Sequence, residues 1–288
     1  MIQRNGVFLV TGASAGLGKA ITTGLARQGA TVVMVARNRQ KGEEVKAEII
    51  AVTGNSSLDL LVADLSSQHD VRRVAAEFRQ HYSHLHGLIN NAGAQFPHRQ
   101  TSVDGIEMHL AVNHLSGFLL TNLLLDTMRQ SVPARILTIT SASMSKTINL
   151  DDLQSEQQFE PWRAYGQSKL AQVLCTYALA RQLEGTGITV NAVHPGLLAT
   201  NISDTLAPAI ARPFLGLIKR FLLTPEQGAR AVLALATSPE VEGVTGQYFV
   251  RTKQGRSVPN SYDEALQERV WTMSADLVGL ERAVSPRS

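Results

Sequence analysis

Along its whole length the chain alternates between short β-branched apolar runs and longer segments of helical periodicity, and few architectures accept that order. The apolar runs fall at 6–11, 31–36, 57–63, 87–90, 134–140, 187–193 and 247–250. They are apolar on both faces, which suits strands covered on both sides rather than strands with one wet face. Helical spacing fills the gaps at 17–28, 40–52, 68–82, 103–129, 163–183, 225–236 and 262–280. This order predicts an α/β fold, a doubly wound sheet of about seven parallel strands with helices on both faces. No repeat, low-complexity tract or linker breaks the pattern, so residues 1–288 read as a single domain with 283–288 as a frayed tail.

Composition excludes several classes of function. Apolar residues make up 44% and charged residues 18%, a balance that rules out a disordered or fibrous chain. One cysteine excludes an intrachain disulfide framework and a multi-cysteine zinc site, and is compatible with a reducing, cytoplasmic setting. The net charge is +3, with acids and bases interspersed except for short basic clusters at 37–41 and 251–256. Nucleic-acid binding is therefore not expected, since it needs a basic face. No run reaches the roughly 18 apolar residues of a membrane span. The opening Met1-Ile2-Gln3-Arg4-Asn5 runs straight into the first strand, so no leader or anchor is expected either.

The first chemical motif is Thr11-Gly12-Ala13-Ser14-Ala15-Gly16-Leu17-Gly18, placed between the first strand and the first helix. Gly12 permits a tight turn, Gly16 lets the backbone approach a phosphate, and Gly18 removes a Cβ that would hold helix and strand apart. The helix N-terminus then offers free N–H groups and a positive dipole to a pyrophosphate. In this context the alternation becomes a Rossmann-type arrangement, and the site a dinucleotide site. Its spacing, Gly-x-x-x-Gly-x-Gly, differs from the common Gly-x-Gly-x-x-Gly.

The end of the second strand bears on which dinucleotide fits. An NAD site places a carboxylate there, for the ribose 2′-hydroxyl. Here the strand ends Val35-Ala36-Arg37, with no acid before Glu43. The planar fork of Arg37 suits a 2′-phosphate, Arg39 and Lys41 add charge nearby, and NADP(H) is the expected cofactor.

The second motif is Tyr165-Gly166-Gln167-Ser168-Lys169. Positions i and i+4 share a helix face, so the Lys169 ammonium can sit near the Tyr165 phenol and favour its ionised form. A free phenol titrates near pH 10 and is a poor acid–base group at neutrality; a cation beside it makes it usable.

In this order, the motifs resemble the short-chain dehydrogenase/reductase family over roughly residues 5–280. The family's Thr-Gly-x-x-x-Gly-x-Gly matches Thr11–Gly18, its Asp after the third strand matches Asp64, and its Asn-Asn-Ala-Gly matches Asn90-Asn91-Ala92-Gly93. Its active-site Asn resembles Asn113 and its Ser resembles Ser141; Pro-Gly-x-x-x-Thr matches Pro195, Gly196 and Thr200. Within the family the chain is similar to the retinol dehydrogenase-like branch, through Arg37 with Lys41-Gly42, residues 112–121, Asp152-Leu153-Gln154 and His194-Pro195-Gly196. It departs from that branch at Ser116-Gly117, usually Gly-His, and at Thr140, usually Ser.

The resemblance implies a cofactor-binding half at about 1–130 and a catalytic and substrate half at about 131–282. It implies that Tyr165 donates a proton to a carbonyl oxygen in reduction and removes one in oxidation. Lys169 would tune Tyr165 and bind the nicotinamide ribose, Ser141 would hydrogen-bond the substrate oxygen, and Asn113 would hold a water linking Lys169 to solvent. Cofactor contacts would come from Gly12, Ser14, Ala15, Gly16, Leu17, Gly18, Arg37, Lys41, Asp64, Leu65, Asn91, Ala92, Gly93, Tyr165, Lys169, Pro195, Gly196, Leu198 and Thr200. The reaction expected is NADP(H)-dependent interconversion of an alcohol and an aldehyde or ketone, with no metal. Two alternatives stay open: reduction of a carbon–carbon double bond, and a dinucleotide-binding redox sensor without turnover. The family also implies a homo-oligomer formed through the helices at 113–129 and 163–183.

Other segments have plainer readings. The histidines of His81-Tyr82-Ser83-His84-Leu85-His86 read as a solvated loop, His114 as a packing residue, and His194 as a structural hydrogen-bonding residue. Cys175 reads as a small buried hydrophobe. Residues 206–223 are rich in Leu, Ile and Phe; the family resemblance implies that they cover the substrate, here closing an apolar pocket with Phe214 and Phe221 touching a bulky substrate, and the alternative is a helix packed on the core or on a partner subunit.

Overall fold

A computed structural model describes residues 6–197 and 222–280. The strands are β1 (Val7–Thr11), β2 (Thr31–Ala36), β3 (Leu58–Val62), β4 (Gly87–Asn90), β5 (Ala134–Ile139), β6 (Ile188–His194), β7 (Tyr248–Val250) and β8 (Lys253–Gly255). They form one sheet in the order β3-β2-β1-β4-β5-β6-β7-β8. All neighbours are parallel except β7 and β8. The described helices are α1 (Gly16–Arg27), α2 (Arg39–Thr53), α3 (Gln68–His81), α4 (Ser116–Arg129), α5 (Pro161–Gln182), α6 (Pro225–Thr237) and α7 (Glu264–Leu277). Strand order reverses at β1, which lies between β2 and β4, and a crevice opens at the strand ends there.

Alternation along each strand divides the interior into two cores. Leu9, Val33, Leu88 and Ile136 face α3, α4, α5 and α7. Their neighbours Phe8, Val10, Val32, Met34, Ile89 and Leu137 face α1, α2 and α6. Strands apolar on both faces thus have a helical layer on each side, as expected of a mostly parallel sheet.

Three features depart from the sequence reading. The eighth strand, β8, pairs antiparallel with β7 through a tight turn in which Arg251 has φ +59°; its Lys-Gln-Gly sequence carries no strand signal. The helix expected at 103–129 begins only at Met108 and passes through a π-helical turn over Leu110–Leu115 into α4. Before it, Gly105 at φ +76° and the Ser102–Ile106 backbone hydrogen bond form a separate turn that interrupts the helical path. The third concerns the expected subunit contact. Residues 164–180 of α5 are all buried within the chain, and α7 covers that helix and the start of α4. Trp271 meets Phe118 edge-on at 4.7 Å, Ser274 hydrogen-bonds His114 at 2.7 Å, and Glu268 accepts from Arg181 at 3.1 Å. Within the chain, α7 thus covers much of α5, one of the two helices expected to carry a subunit contact.

Arg135 gives a stability test. It is buried on β5, and its guanidinium donates to the carbonyls of Leu235 (2.9 Å) and Ser238 (2.7 Å) at the C-terminal end of α6. Helix-end carbonyls lack intrahelical partners, so the arginine both satisfies them and ties α6 to the sheet. Arg135→Met is expected to lower unfolding free energy by about 1.5–3 kcal/mol, the range for hydrogen bonds to a charged group, read from urea denaturation at unchanged m-value.

Candidate active site

The glycine turn sits where β1 meets α1. Gly12 and Gly16 have φ of +66° and +49°, backbone states that favour glycine. A Cβ on Gly18 would lie 2.2 Å from the Gly12 carbonyl oxygen and 2.6 Å from Asn91 Nδ2, so this glycine packs the turn on itself and on the end of β4. A Cβ on Gly16 would meet nothing within 4 Å; its backbone faces open space. The N-cap of α1 is Ala15, which supplies no side-chain hydrogen bond, so the first-turn N–H groups of the helix have no side-chain cap.

The Thr11 side chain locks this turn to β4. Its Oγ1 accepts from the N–H groups of Asn91 and Ala92, each at 2.9 Å, while Asn91 Nδ2 donates to the Thr11 carbonyl at 2.8 Å. The turn also meets the end of β2, where Ala13 N–H donates to Val35 O at 3.1 Å. Two residues further on, Arg37 is exposed. Lys41 lies in the first turn of α2, its N–H capped by Asn38 at 2.9 Å. Asp64, at the end of β3, accepts from the Ser66 N–H and hydroxyl at 2.9 and 2.8 Å.

A cleft of about 590 Å³ runs from the glycine turn across the ends of β4, β5 and β6 to α5. Gly12, Ala15, Gly16, Leu17 and Gly18 line one end; Asn91, Ala92 and Gly93 form its floor. Ser141, Tyr165 and Lys169 stand together at the other end, with Pro195 and Gly196 closing it from β6. Thus most of the expected residues meet in one cavity. Ser14, Arg37, Lys41, Asp64 and Leu65 do not line it; they lie beside it, in the turn and at the ends of β2 and β3. Leu198, Thr200, Phe214 and Phe221 fall outside the described residues.

Lys169 is buried on α5, with Nζ 3.2 Å from the Ile139 carbonyl and 5.7 Å from the centre of the Tyr165 ring. Burial lowers its pKa to about 8. Burial also raises the Tyr165 phenol above its ordinary value, opposed by a hydrogen bond with the Ser141 hydroxyl. The one-turn spacing brings the ammonium near the phenol as expected, while burial outweighs the Ser141 hydrogen bond and holds the phenol above its ordinary value. Asn113 lies just behind Gly93: a Cβ on that glycine would sit 3.4 Å from both Asn113 Oδ1 and Lys169 Nζ. The Asn113 side chain is paired with both backbone groups of Ala94 and with Ser168 Oγ. Its backbone carbonyl accepts from Gln172 Nε2 at 2.5 Å.

Several cleft residues were missed or read otherwise. Trp162 lines the cleft, is 48% exposed, and meets the Tyr165 ring edge-on at 6.3 Å. Its position three residues before Tyr165 puts it on the same helix face, a signal present in the sequence. Leu197, 62% exposed, adds a second apolar wall. His194, read as a structural hydrogen-bonding residue, lines the cleft with its Nδ1 buried and unpartnered among the described residues. His114 does pack internally, and burial lowers its pKa to about 3, while burial raises Cys175 to about 12. His84 and His86 stack on each other, and His86 accepts from Val7 N–H at 3.1 Å.

These features fit a dinucleotide. The open Gly16 backbone and uncapped α1 N-terminus form a cradle for phosphates, and the unpartnered His194 Nδ1 awaits a polar group. Among the described residues, no helix is long and apolar enough to cross a membrane.

Comparison with known proteins agrees with this geometry. The family model for short chain dehydrogenase matches residues 6–210. Human Retinol dehydrogenase 14 is 41% identical over 94% of this chain and 86% of its own length. Human Polyprenol dehydrogenase is 38% identical over 95% of this chain and 85% of its own. Among solved structures, the Pseudomonas aeruginosa RhlG/NADP active-site complex superposes with a TM-score of 0.69 at 28% identity, covering 85% of this chain and 94% of that one. The chain belongs to the short-chain dehydrogenase/reductase family of oxidoreductases and resembles its retinol dehydrogenase-like branch.

Proposed function

We propose that this oxidoreductase uses NADP(H) to interconvert an alcohol and an aldehyde or ketone, with a bulky apolar substrate and Tyr165 as general acid and base. The observation that carries this reading is the meeting of Ser141, Tyr165 and Lys169 at one end of a cleft whose other end is the glycine turn. A bound nicotinamide dinucleotide supplies or accepts the hydride. Gly12, Gly16 and the first turn of α1 hold its phosphates, Arg37 meets the 2′-phosphate, and Lys169 binds the ribose beside the nicotinamide. In reduction, the Ser141 hydroxyl donates to the substrate oxygen where negative charge develops, and the Tyr165 phenol gives that oxygen a proton. The Lys169 ammonium stabilises the phenolate left behind; in oxidation the same proton moves back to Tyr165. The NADP named with the RhlG complex supports the choice of cofactor.

Trp162 and Leu197 support an apolar substrate, because exposed apolar side chains on both sides of the acid–base group gain by being covered. Retinol and polyprenol, in the names of two relatives, are long apolar alcohols. The test is an NADPH-consumption screen over aldehydes and ketones of graded size: rates should rise with the apolar part, and compact polar carbonyls should be poor. A screen in which sugars and small polar carbonyls outrun every apolar substrate would reject the substrate class; no turnover with any carbonyl would reject the reaction. Trp162→Ala should raise KM about tenfold for bulky substrates, the scale of one lost apolar side-chain contact, and leave it nearly unchanged for short ones.

The low Lys169 value sets a pH dependence. The free enzyme loses its ammonium as pH rises through about 8, and the charged form supports the phenolate. The kcat/KM for the dinucleotide in reduction, which reports the free enzyme, is therefore expected to fall on the alkaline side from about pH 8. A profile flat up to the ordinary lysine value would contradict this.

A further inference from the structure

A second titratable pair lies buried behind Tyr165, outside the machinery described above. Glu107 and His109 are both almost fully buried. Glu107 Oε2 accepts from Leu110 N–H at 2.9 Å, at the start of the π-helical turn that carries Asn113. Its Oε1 lies 2.8 Å from His109 Nδ1. On the other side of the imidazole, Nε2 accepts from the Phe96 backbone N–H at 2.9 Å. That donor decides the tautomer: Nε2 carries the lone pair, so the proton sits on Nδ1 and is given to Glu107.

The pair therefore grips the segment that follows Gly93, and Asn113 grips the same segment two residues earlier. Ala94 N–H donates to Asn113 Oδ1 at 2.7 Å, and Asn113 Nδ2 donates to the Ala94 carbonyl at 3.1 Å. Between the two grips lies Gln95, buried with both amide atoms unpartnered. Such groups are few in native proteins, and each calls for a partner or a constraint that holds it there. The His109 ring also meets the Tyr165 ring edge-on, with centroids 6.1 Å apart and planes at 78°. One side chain thus touches the acid–base residue and pins the neighbouring backbone.

We propose that His109, oriented by Glu107, is a positioning residue that fixes segment 94–96 and the Tyr165 ring relative to each other; this rests on Tyr165 being the acid–base group. Small misplacements of reacting groups are costly in rate, up to about a hundredfold for roughly 1 Å. A residue acting in this way should affect kcat far more than dinucleotide affinity, most of which comes from the phosphate cradle at the other end of the cleft.

Three readouts on the full chain test it: steady-state kcat with a reactive apolar aldehyde, NADPH affinity by fluorescence, and amide hydrogen exchange at Phe96. His109→Phe keeps a ring against Tyr165 and removes the acceptor for Phe96 N–H. It should lower kcat about ten- to hundredfold, leave NADPH affinity within twofold, and speed Phe96 exchange. His109→Gln, whose Oε1 can take the place of Nε2, should keep at least about a third of wild-type kcat and much of the Phe96 protection. Wild-type kcat and unchanged Phe96 exchange in the Phe variant would overturn the proposal. So would a Gln variant as impaired as the Phe variant, including in the case where the Phe variant fails to fold. If the wild type turns over no carbonyl, the reaction proposed above fails, and Phe96 exchange still decides whether His109 holds the segment.

Discussion

Tyr165→Phe is expected to lower kcat by about 10²–10⁴, the usual size of a general acid–base contribution. The ring would keep its contacts with Trp162 and His109, and only the ionisable hydroxyl is lost. The effect is large because only the phenol is placed to give that proton in the proposed reaction, and burial keeps it in the protonated form that a donor needs. Affinity for NADPH should hardly change, since the phosphate cradle lies at the far end of the cleft. The check is single-turnover reduction under saturating NADPH with the variant's fold verified by circular dichroism. A variant that keeps more than half the wild-type rate would remove Tyr165 from the reaction.

Arg37→Ala should change cofactor choice rather than rate. Arg37 is exposed at the end of β2, two residues beyond the point where that strand hydrogen-bonds the glycine turn through Val35. No carboxylate follows on the strand end to take a ribose 2′-hydroxyl, and the guanidinium fork suits a phosphate. A charge-assisted hydrogen bond there contributes about 1.5–3 kcal/mol, so the wild type should prefer NADPH over NADH by roughly ten- to a hundredfold. In the Ala variant most of that preference should disappear through weaker NADPH binding, with NADH nearly unaffected. Equal kcat/KM for the two cofactors in the wild type would refute the assignment.

The features legible in the sequence are those encoded within a few neighbouring residues. The strands of the parallel sheet were readable because each is a short β-branched run apolar on both faces. The glycine turn was readable because left-handed backbone at Gly12 and Gly16 requires glycine, and the Tyr165–Lys169 pair because helical geometry sets the i, i+4 spacing. Trp162 carried the same kind of signal, one turn before Tyr165, and could have been found from it. The start of the helix at Met108 and its π-helical turn were not readable: periodicity from 103 onward continues across the turn at Gly105, and only the buried Glu107 carboxylate, accepting from the His109 and Leu110 N–H groups, ends the ambiguity.

What local sequence determined, then, is the seven parallel strands and most of the helices, and the residue types able to hold a dinucleotide and move a proton. The tertiary structure alone decided which of these residues meet. Strand order brings Thr11 to Asn91 across 80 positions, and α7 returns to lay Ser274 on His114 across 160. Neither contact has a local signature, because each side chain is an ordinary polar residue in its own stretch. The environment is likewise a tertiary property: burial shifts Lys169 to about 8, and leaves His194 Nδ1 without a partner among the described residues, through the packing of segments far apart in the chain. Sequence spacing can place an ammonium near a phenol, but the balance between desolvation and hydrogen bonding that sets their protonation depends on how the whole chain packs around them.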